Sequence, residues 1–207
     1  MEARETRHGI VAVVGDGNAK PGTPKYTLAE DIGEELVSAG FRVLTGGLGG
    51  VMEAASKGAK RSGRYITGDV VALVPALDRD SANQHADIVL PTGMGHMRNC
   101  LVAYADALIA VGGGAGTLSE IAQAWLANRL VVAMRIDGWS GKLSDRPLDD
   151  RVRFTNLRED MVFGANQPRE AALLVRELLP RYRAGNELAA EDLRPLRRRT
   201  NISQDLR

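Results

Sequence analysis

From Ala107 to Glu120 the chain reads ALIAVGGGAGTLSE, an apolar run that ends in a cluster of glycines and passes directly into a helical stretch. Few architectures accommodate that junction: a short buried strand feeding a helix through residues without side chains is the unit of a parallel sheet wrapped by helices. The junction is also suited to holding an anion. Glycines let the backbone approach a phosphate closely, and the free N–H groups and positive dipole end of the following helix favour negative charge. Gly113, Gly114, Gly116 and Thr117 are therefore candidate phosphate ligands. A carboxylate about one turn into such a helix repels a phosphate it touches, so Glu120 is expected to reach a sugar, whose hydroxyls donate to it.

The same unit recurs along the chain. Ile10–Val14 reads as a first strand, closed by Gly15-Asp16-Gly17. Thr27 and Glu30 form a capping box that opens a helix through Ala39, with Gly40 as its stop. Arg42–Thr45 is a second strand, Gly46–Gly50 a further glycine loop, and Val51–Ser62 a helix ended by Gly63. Strands are also expected at Val70–Leu77, Ile88–Leu90, Ala107–Val111 and Leu130–Met134, and helices at Met94–Tyr104, Thr117–Asn128 and Pro168–Ala184. The polar segment Asp137–Arg153 reads as a loop over the site edge or a surface excursion. The expected fold is α/β, an open, doubly wound parallel sheet with helices on both faces and ligands outside the strands' carboxyl ends. Gly46, Gly47 and Gly49 then share one sheet edge with the Gly112–Gly116 loop, and are candidate nucleotide-binding positions.

At 207 residues and 44% hydrophobic, the chain buries one substantial core and needs no second domain. Residues 1–184 are assigned to one nucleotide-binding domain. Residues 185–207 form a basic tail with Arg194, Arg197, Arg198 and Arg199, mobile or docked on a neighbouring subunit. A formal charge of +1 gives no field to attract nucleic acid or a membrane, and no aromatic platform accompanies the arginines. The opening MEARETRHG leads into a five-residue apolar run, too short for a signal peptide or a membrane helix. With a single cysteine, Cys100, nothing points to an oxidising compartment, and the expected location is the cytoplasm. Three histidines without a His/Cys cluster argue against a metal site.

Two common nucleotide motifs are absent. Gly15-x-Gly17 follows the first strand, but Lys20 stands where a dinucleotide fingerprint needs its third glycine, and Arg42–Thr45 ends without an acid for a ribose hydroxyl. No Gly-x-x-x-x-Gly-Lys-Ser/Thr occurs, which disfavours ATP hydrolysis. Three segments taken together are more specific: TGGLGGVMEAASKGA (Thr45–Ala59), PTGMGHMRN (Pro91–Asn99) and VGGGAGTLSEI (Val111–Ile121). In that order and spacing they resemble the LOG family of Rossmann-like nucleotide-binding proteins, often mislabelled as lysine decarboxylases, over roughly residues 10 to 135. Its characterised enzymes are phosphoribohydrolases, which cleave the N-glycosidic bond of a nucleoside 5′-monophosphate to free base and ribose 5-phosphate. A second branch resembles the molybdenum cofactor carrier proteins, which bind a pterin phosphate.

The resemblance maps the family's Pro-Gly-Gly-x-Gly-Thr-x-x-Glu onto Gly112 to Glu120, with Gly112 in place of the proline. The family's Arg-Lys pair falls on Arg98 and Asn99, and an acid commonly paired with the last glutamate is Ser119 here. These departures match the carrier branch more closely. Two functions follow, and the retained Arg98/Glu120 pair favours the first. In the first, Arg98 and Glu120 are catalytic: the carboxylate stabilises the positive charge that develops on the ribose, and the guanidinium grips phosphate or sugar. No cofactor is required for that hydrolysis. In the second, the protein binds or carries a phosphorylated ligand, a nucleoside monophosphate or a molybdopterin-type cofactor. Pyridoxal chemistry is disfavoured because none of the five lysines lies in either glycine loop. The resemblance also implies a homodimer or homotetramer, in which the helix beginning near Met94 completes a neighbour's pocket.

Overall fold

The computed structural model describes residues 7–154, 157 and 159–192. Strands β1 (Ile10–Gly15), β2 (Arg42–Thr45), β3 (Val70–Val74), β4 (Ile88–Pro91), β5 (Ala107–Val111), β6 (Leu130–Met134) and β7 (Phe163–Ala165) form one sheet in the order β4-β3-β2-β1-β5-β6-β7. All the neighbouring pairs are parallel. From β1 the chain builds outward through β2, β3 and β4 on one side, then returns to lay β5, β6 and β7 on the other. Strand order therefore reverses between β1 and β5, where the loops at the strands' carboxyl ends part and leave a crevice.

The helices are α1 (Pro24–Ser38), α2 (Val51–Ala59), α3 (Asn99–Ala103), α4 (Ala115–Leu126), α5 (Trp139–Leu143) and α6 (Pro168–Asp192). Alternation along β1 divides the core in two, as the period-2 direction of strand side chains requires. Val11 and Val13 pack in one layer with α1, α2 and α6, whereas Ala12 and Val14 pack in the other with α3 and α4. The sheet is thus covered on both faces, as its near-continuous apolar strands imply.

Strands β2, β5 and β6 occupy the ranges expected from sequence. Elsewhere local chemistry moves the boundaries. Helix α1 starts at Pro24, a turn before the Thr27–Glu30 capping box: proline presets φ at the first helical position and needs no N–H, and the Thr23 hydroxyl turns back to the Lys20 carbonyl at 2.7 Å. β3 stops at Val74 because Pro75 cannot donate to the ladder. α2 ends at Ala59 and α4 begins at Ala115. Met94–Tyr104 is not one helix but a 3-10 turn over Gly95–Arg98 followed by α3. Positive φ at Gly93 (64°) and Gly95 (54°) bends the chain just before it. Three elements were not expected: a 3-10 turn at Arg79–Ser81, the three-residue β7, and α5 within the polar 137–153 segment, where Ser140 is fully buried. α6 continues beyond Ala184 to Asp192, and Arg194, Arg197, Arg198 and Arg199 of the expected basic tail lie outside the described residues. Among the described residues no helix is long and apolar enough to cross a membrane.

Helices α1 and α2 approach one another through glycine. A Cβ on Gly33 would lie 2.0 Å from the Ala55 carbonyl oxygen, and one on Gly58 would lie 1.7 Å from that of Glu30. This contact sets the position of α2, and with it the loop that precedes it. Gly58→Ala is expected to destabilise the fold by about 1–3 kcal/mol even after a gain in helix propensity of about 1 kcal/mol. Chemical denaturation checks this, and an unchanged unfolding midpoint would show that the helices can separate freely.

Candidate functional site

The crevice at the β1/β5 reversal opens into a cleft of about 530 Å³. Five parts of the chain line it: Gly15–Asn18 after β1, Leu48 and Met52 around the start of α2, Pro75 after β3, Gly95, His96, Arg98 and Asn99 on the 3-10 turn and α3, and Gly114, Gly116, Thr117 and Glu120 at the start of α4. Both glycine loops sit at carboxyl ends of strands, on one edge of the sheet.

At the start of α4 the first intrahelical bond runs from Leu118 N–H to the Gly114 carbonyl at 3.0 Å. The N–H groups of Ala115, Gly116 and Thr117 precede it and have no carbonyl to reach within the helix. Gly114 and Gly116 are exposed and leave that end open, while Thr117 is buried. Gly113 (φ 89°) makes room for Thr117, since a Cβ there would fall 2.2 Å from the Thr117 hydroxyl. The loop is braced from below by α5. Ser140 accepts the Gly112 N–H at 2.7 Å and donates to the Met134 carbonyl, and the Ser140 N–H returns to the Gly112 carbonyl.

At the floor of the cleft Arg98 and Glu120 form a buried ion pair, Nη1 to Oε1 at 3.1 Å, with side chains only 7% and 8% exposed. The same Nη1 reaches the Asn99 side-chain carbonyl at 2.8 Å, and Nη2 reaches the Gly46 carbonyl at 3.2 Å. Arg98 Nε is buried and has no hydrogen-bond partner among the described residues. For both members of the pair, burial outweighs mutual attraction. It pushes the Glu120 carboxyl up to about 7 against the pull of Arg98, and it lowers the Arg98 guanidinium from its ordinary value. Asn99, standing where the LOG resemblance has lysine, donates to Ser119 Oγ at 2.8 Å, and Ser119 donates to the Gly116 carbonyl at 2.7 Å. The two departures from the family pattern are thus partners in one neutral network.

Of the residues singled out from sequence, Arg98, Glu120, Gly114, Gly116 and Thr117 line the cleft together. Gly113 shapes it from behind. Gly46 is also behind it: a Cβ there would lie 2.3 Å from the Arg98 guanidinium, so its bareness makes space for the arginine. Gly47 (φ 77°) packs against Val74, and its carbonyl is held by the backbone and side-chain N–H groups of Asn83. Gly49 is exposed beside Glu53 and does not line the cleft. Sequence reasoning did not assign Asp16, Asn18, Leu48, Met52 or Pro75 to the site. The signal that the sequence offers for them is the strand-end position of Gly15-Asp16-Gly17, which does not complete a dinucleotide fingerprint.

With this fold and cleft in place, comparison with known proteins identifies the lineage. The chain belongs to the SLOG cluster4 family, whose model matches residues 8–172. An uncharacterised protein of Archaeoglobus fulgidus is 44% identical over 126 residues, covering 60% of this chain and 79% of its own length. The cytokinin riboside 5′-monophosphate phosphoribohydrolase LOG of Oryza sativa subsp. japonica is 28% identical over 181 residues, 82% of this chain and 74% of that protein. Among solved structures, a Moco (molybdenum cofactor) carrier protein from Chlamydomonas reinhardtii matches with a TM-score of 0.66 and 31% identity over 84% of this chain and 99% of its own. The LOG-like resemblance and the carrier-like neighbours read from the motifs are both found.

The raised pKa of Glu120 couples stability to pH. A carboxyl whose pKa is higher folded than unfolded contributes stability that is complete below about pH 4.5 and lost as pH rises through about 7. The difference in unfolding free energy between the wild type and Glu120→Gln is therefore expected to shift by roughly 2–3 kcal/mol between pH 5 and pH 8, with the wild type relatively weaker at pH 8. Denaturant titrations of both proteins at the two pH values check it. A pH-independent difference would mean that Glu120 is ionised throughout.

Proposed function

We propose that the protein binds a phosphorylated small molecule with its phosphate at the start of α4, and that it serves as a carrier for a pterin-type phosphate such as the molybdenum cofactor. The observation that carries this proposal is the state of Glu120. An acid that stabilises a sugar cation has to be ionised and turned toward the sugar. Glu120 is instead committed to Arg98 at 3.1 Å, nearly buried, and poised at a pKa of about 7. The neutral Asn99–Ser119 network adds no charge to drive bond cleavage. The cleft suits the cargo: open N–H groups at one end, an unpaired Arg98 Nε at the floor, and a volume of about 530 Å³. A solved structure of similar fold, matched over 99% of its own chain, is that of a Moco carrier protein, which supports this reading.

A second function, phosphoribohydrolase action on a nucleoside 5′-monophosphate, is favoured by one specific feature. Arg98, Glu120 and Thr117 line the same cleft, as the similarity to the rice LOG protein would require. The two separate cleanly by experiment. Mass spectrometry of the protein as purified from a pterin-producing host is expected to reveal a bound pterin phosphate, and incubation with AMP is expected to release no free adenine. Rapid adenine release without any pterin would establish the hydrolase instead. In that event the rate should rise with pH through about 7 as Glu120 ionises, and Glu120→Ala should raise the barrier on the order of 2–4 kcal/mol while ribose 5-phosphate still binds.

Assembly into a homodimer or homotetramer is part of the same proposal. Met97, Leu101, Tyr104 and Leu126 are large apolar side chains, each more than two-fifths exposed, on the 3-10 turn, α3 and the end of α4. Such a surface, beside the cleft, favours burial against a second copy. Light scattering after size exclusion is expected to return a multiple of 22.3 kDa. A mass equal to one chain would refute it.

A further inference from the structure

The cleft has a second wall, formed where β1 ends beside β5. There the loop after β1 presents Asp16 and Asn18, and Leu48 and Met52 contribute apolar surface. Asp16 is fixed along its whole length. Its backbone N–H donates to the Val111 carbonyl at 3.2 Å, and its carbonyl accepts from Val51 at 3.0 Å and Ala19 at 3.3 Å. Its Oδ1 accepts the Asn18 N–H at 3.0 Å and its Oδ2 accepts from Lys25 Nζ at 3.1 Å. Those bonds, the Asn18 amide foremost, hold the carboxyl below the ordinary aspartate range, so it is ionised at neutral pH. The side chain nevertheless remains 29% exposed.

An ionised carboxylate offers about four lone-pair sites, two on each oxygen. Here one on each oxygen is used, leaving one on each free. That is the pattern two parallel N–H donors take up on a carboxylate. The Lys25 ammonium offsets the charge of Asp16, so what this wall offers a ligand is a pair of acceptor sites, and their complement is a ring with donors on its edge. Leu48 and Met52 supply the apolar faces on which a flat ring rests, methionine being well adapted to that task.

We propose that Asp16 selects the ring of the ligand. The cleft takes a monophosphate whose ring carries a ring N–H next to an exocyclic amino group, the 2-amino-4-oxopyrimidine edge common to guanine and pterins, in preference to adenine. Adenine sets one donor beside an acceptor, which would face the carboxylate unpaired and repelled. The inference rests on the anion seat proposed at α4 and adds to it the chemistry of the ring.

Isothermal titration of the full chain with GMP, neopterin monophosphate, AMP and ribose 5-phosphate tests it. GMP and neopterin monophosphate share the donor edge, and whichever binds tighter identifies the source of the ring. At least one of them is expected to bind ten or more times tighter than AMP. Asp16→Asn, which turns the acceptor pair into one acceptor and one donor, is expected to remove that preference while ribose 5-phosphate affinity stays within twofold. Equal affinities for all three ring-bearing ligands in the wild type, or a preference that survives Asp16→Asn, would overturn the inference while leaving the phosphate seat standing. Should Asp16→Asn fail to fold, the wild-type ratio decides alone. Should ribose 5-phosphate and the ring-bearing ligands all fail to bind, the anion seat itself falls and the ring selection with it.

Discussion

Arg98 is the joint on which the cleft is assembled. Its guanidinium bonds the Gly46 carbonyl on the β2 side and the Glu120 carboxylate on the β5 side, across the line where strand order reverses. A sheet that builds outward both ways from β1 has loops that part at this line, and something has to tie them. A buried ion pair is a costly tie, since taking two charges from water consumes much of their attraction, and breaking one partner would leave the other stranded. The raised Glu120 carboxyl and the lowered Arg98 guanidinium both report that cost. The pair is therefore weak evidence of stability, and what it secures is the approach of the two loops.

Glycine makes that joint possible. The guanidinium occupies the volume that a side chain on Gly46 would take, Gly113 clears a place for Thr117, and Gly33 and Gly58 let α2 settle against α1. None of these four residues offers a ligand a side chain. They let backbone and charged groups converge within van der Waals distance, which leaves Gly114 and Gly116 at the open end of α4 as the glycines directly available to an anion.

Much of the scaffold was legible in the sequence because parallel strands buried on both faces are continuous apolar runs, and Arg42–Thr45, Ala107–Val111 and Leu130–Met134 stand out as such. β7 did not, since Phe163-Gly164-Ala165 is too short to carry a period. α5 was hidden by a polar segment whose buried member, Ser140, serves hydrogen bonding and not packing. Arg98 and Glu120 were legible as important residues through the motif, but their mutual contact was not, because they are far apart in sequence and meet only through the sheet. Glu120 was expected about one turn into its helix; α4 begins two residues before the expected Thr117, and the carboxylate meets Arg98, a contact the helical spacing alone does not show. Asn99 and Ser119 read as separate departures from a family pattern, yet they are one pair. Asp16 carries no motif of its own, and its placement depends on Lys25 and on the start of α2, contacts that the sequence around it does not reveal.

The central claim is that the exposed amides opening α4 are where the ligand's phosphate rests. Two-dimensional 15N–1H spectra of the labelled protein during titration with inorganic phosphate address it at single-residue resolution. The largest shifts should fall on the amides of Gly114, Ala115, Gly116 and Thr117, with a lesser response at the Arg98 Nε–H. Shifts concentrated elsewhere, with those four amides unmoved at saturating phosphate, would contradict the account.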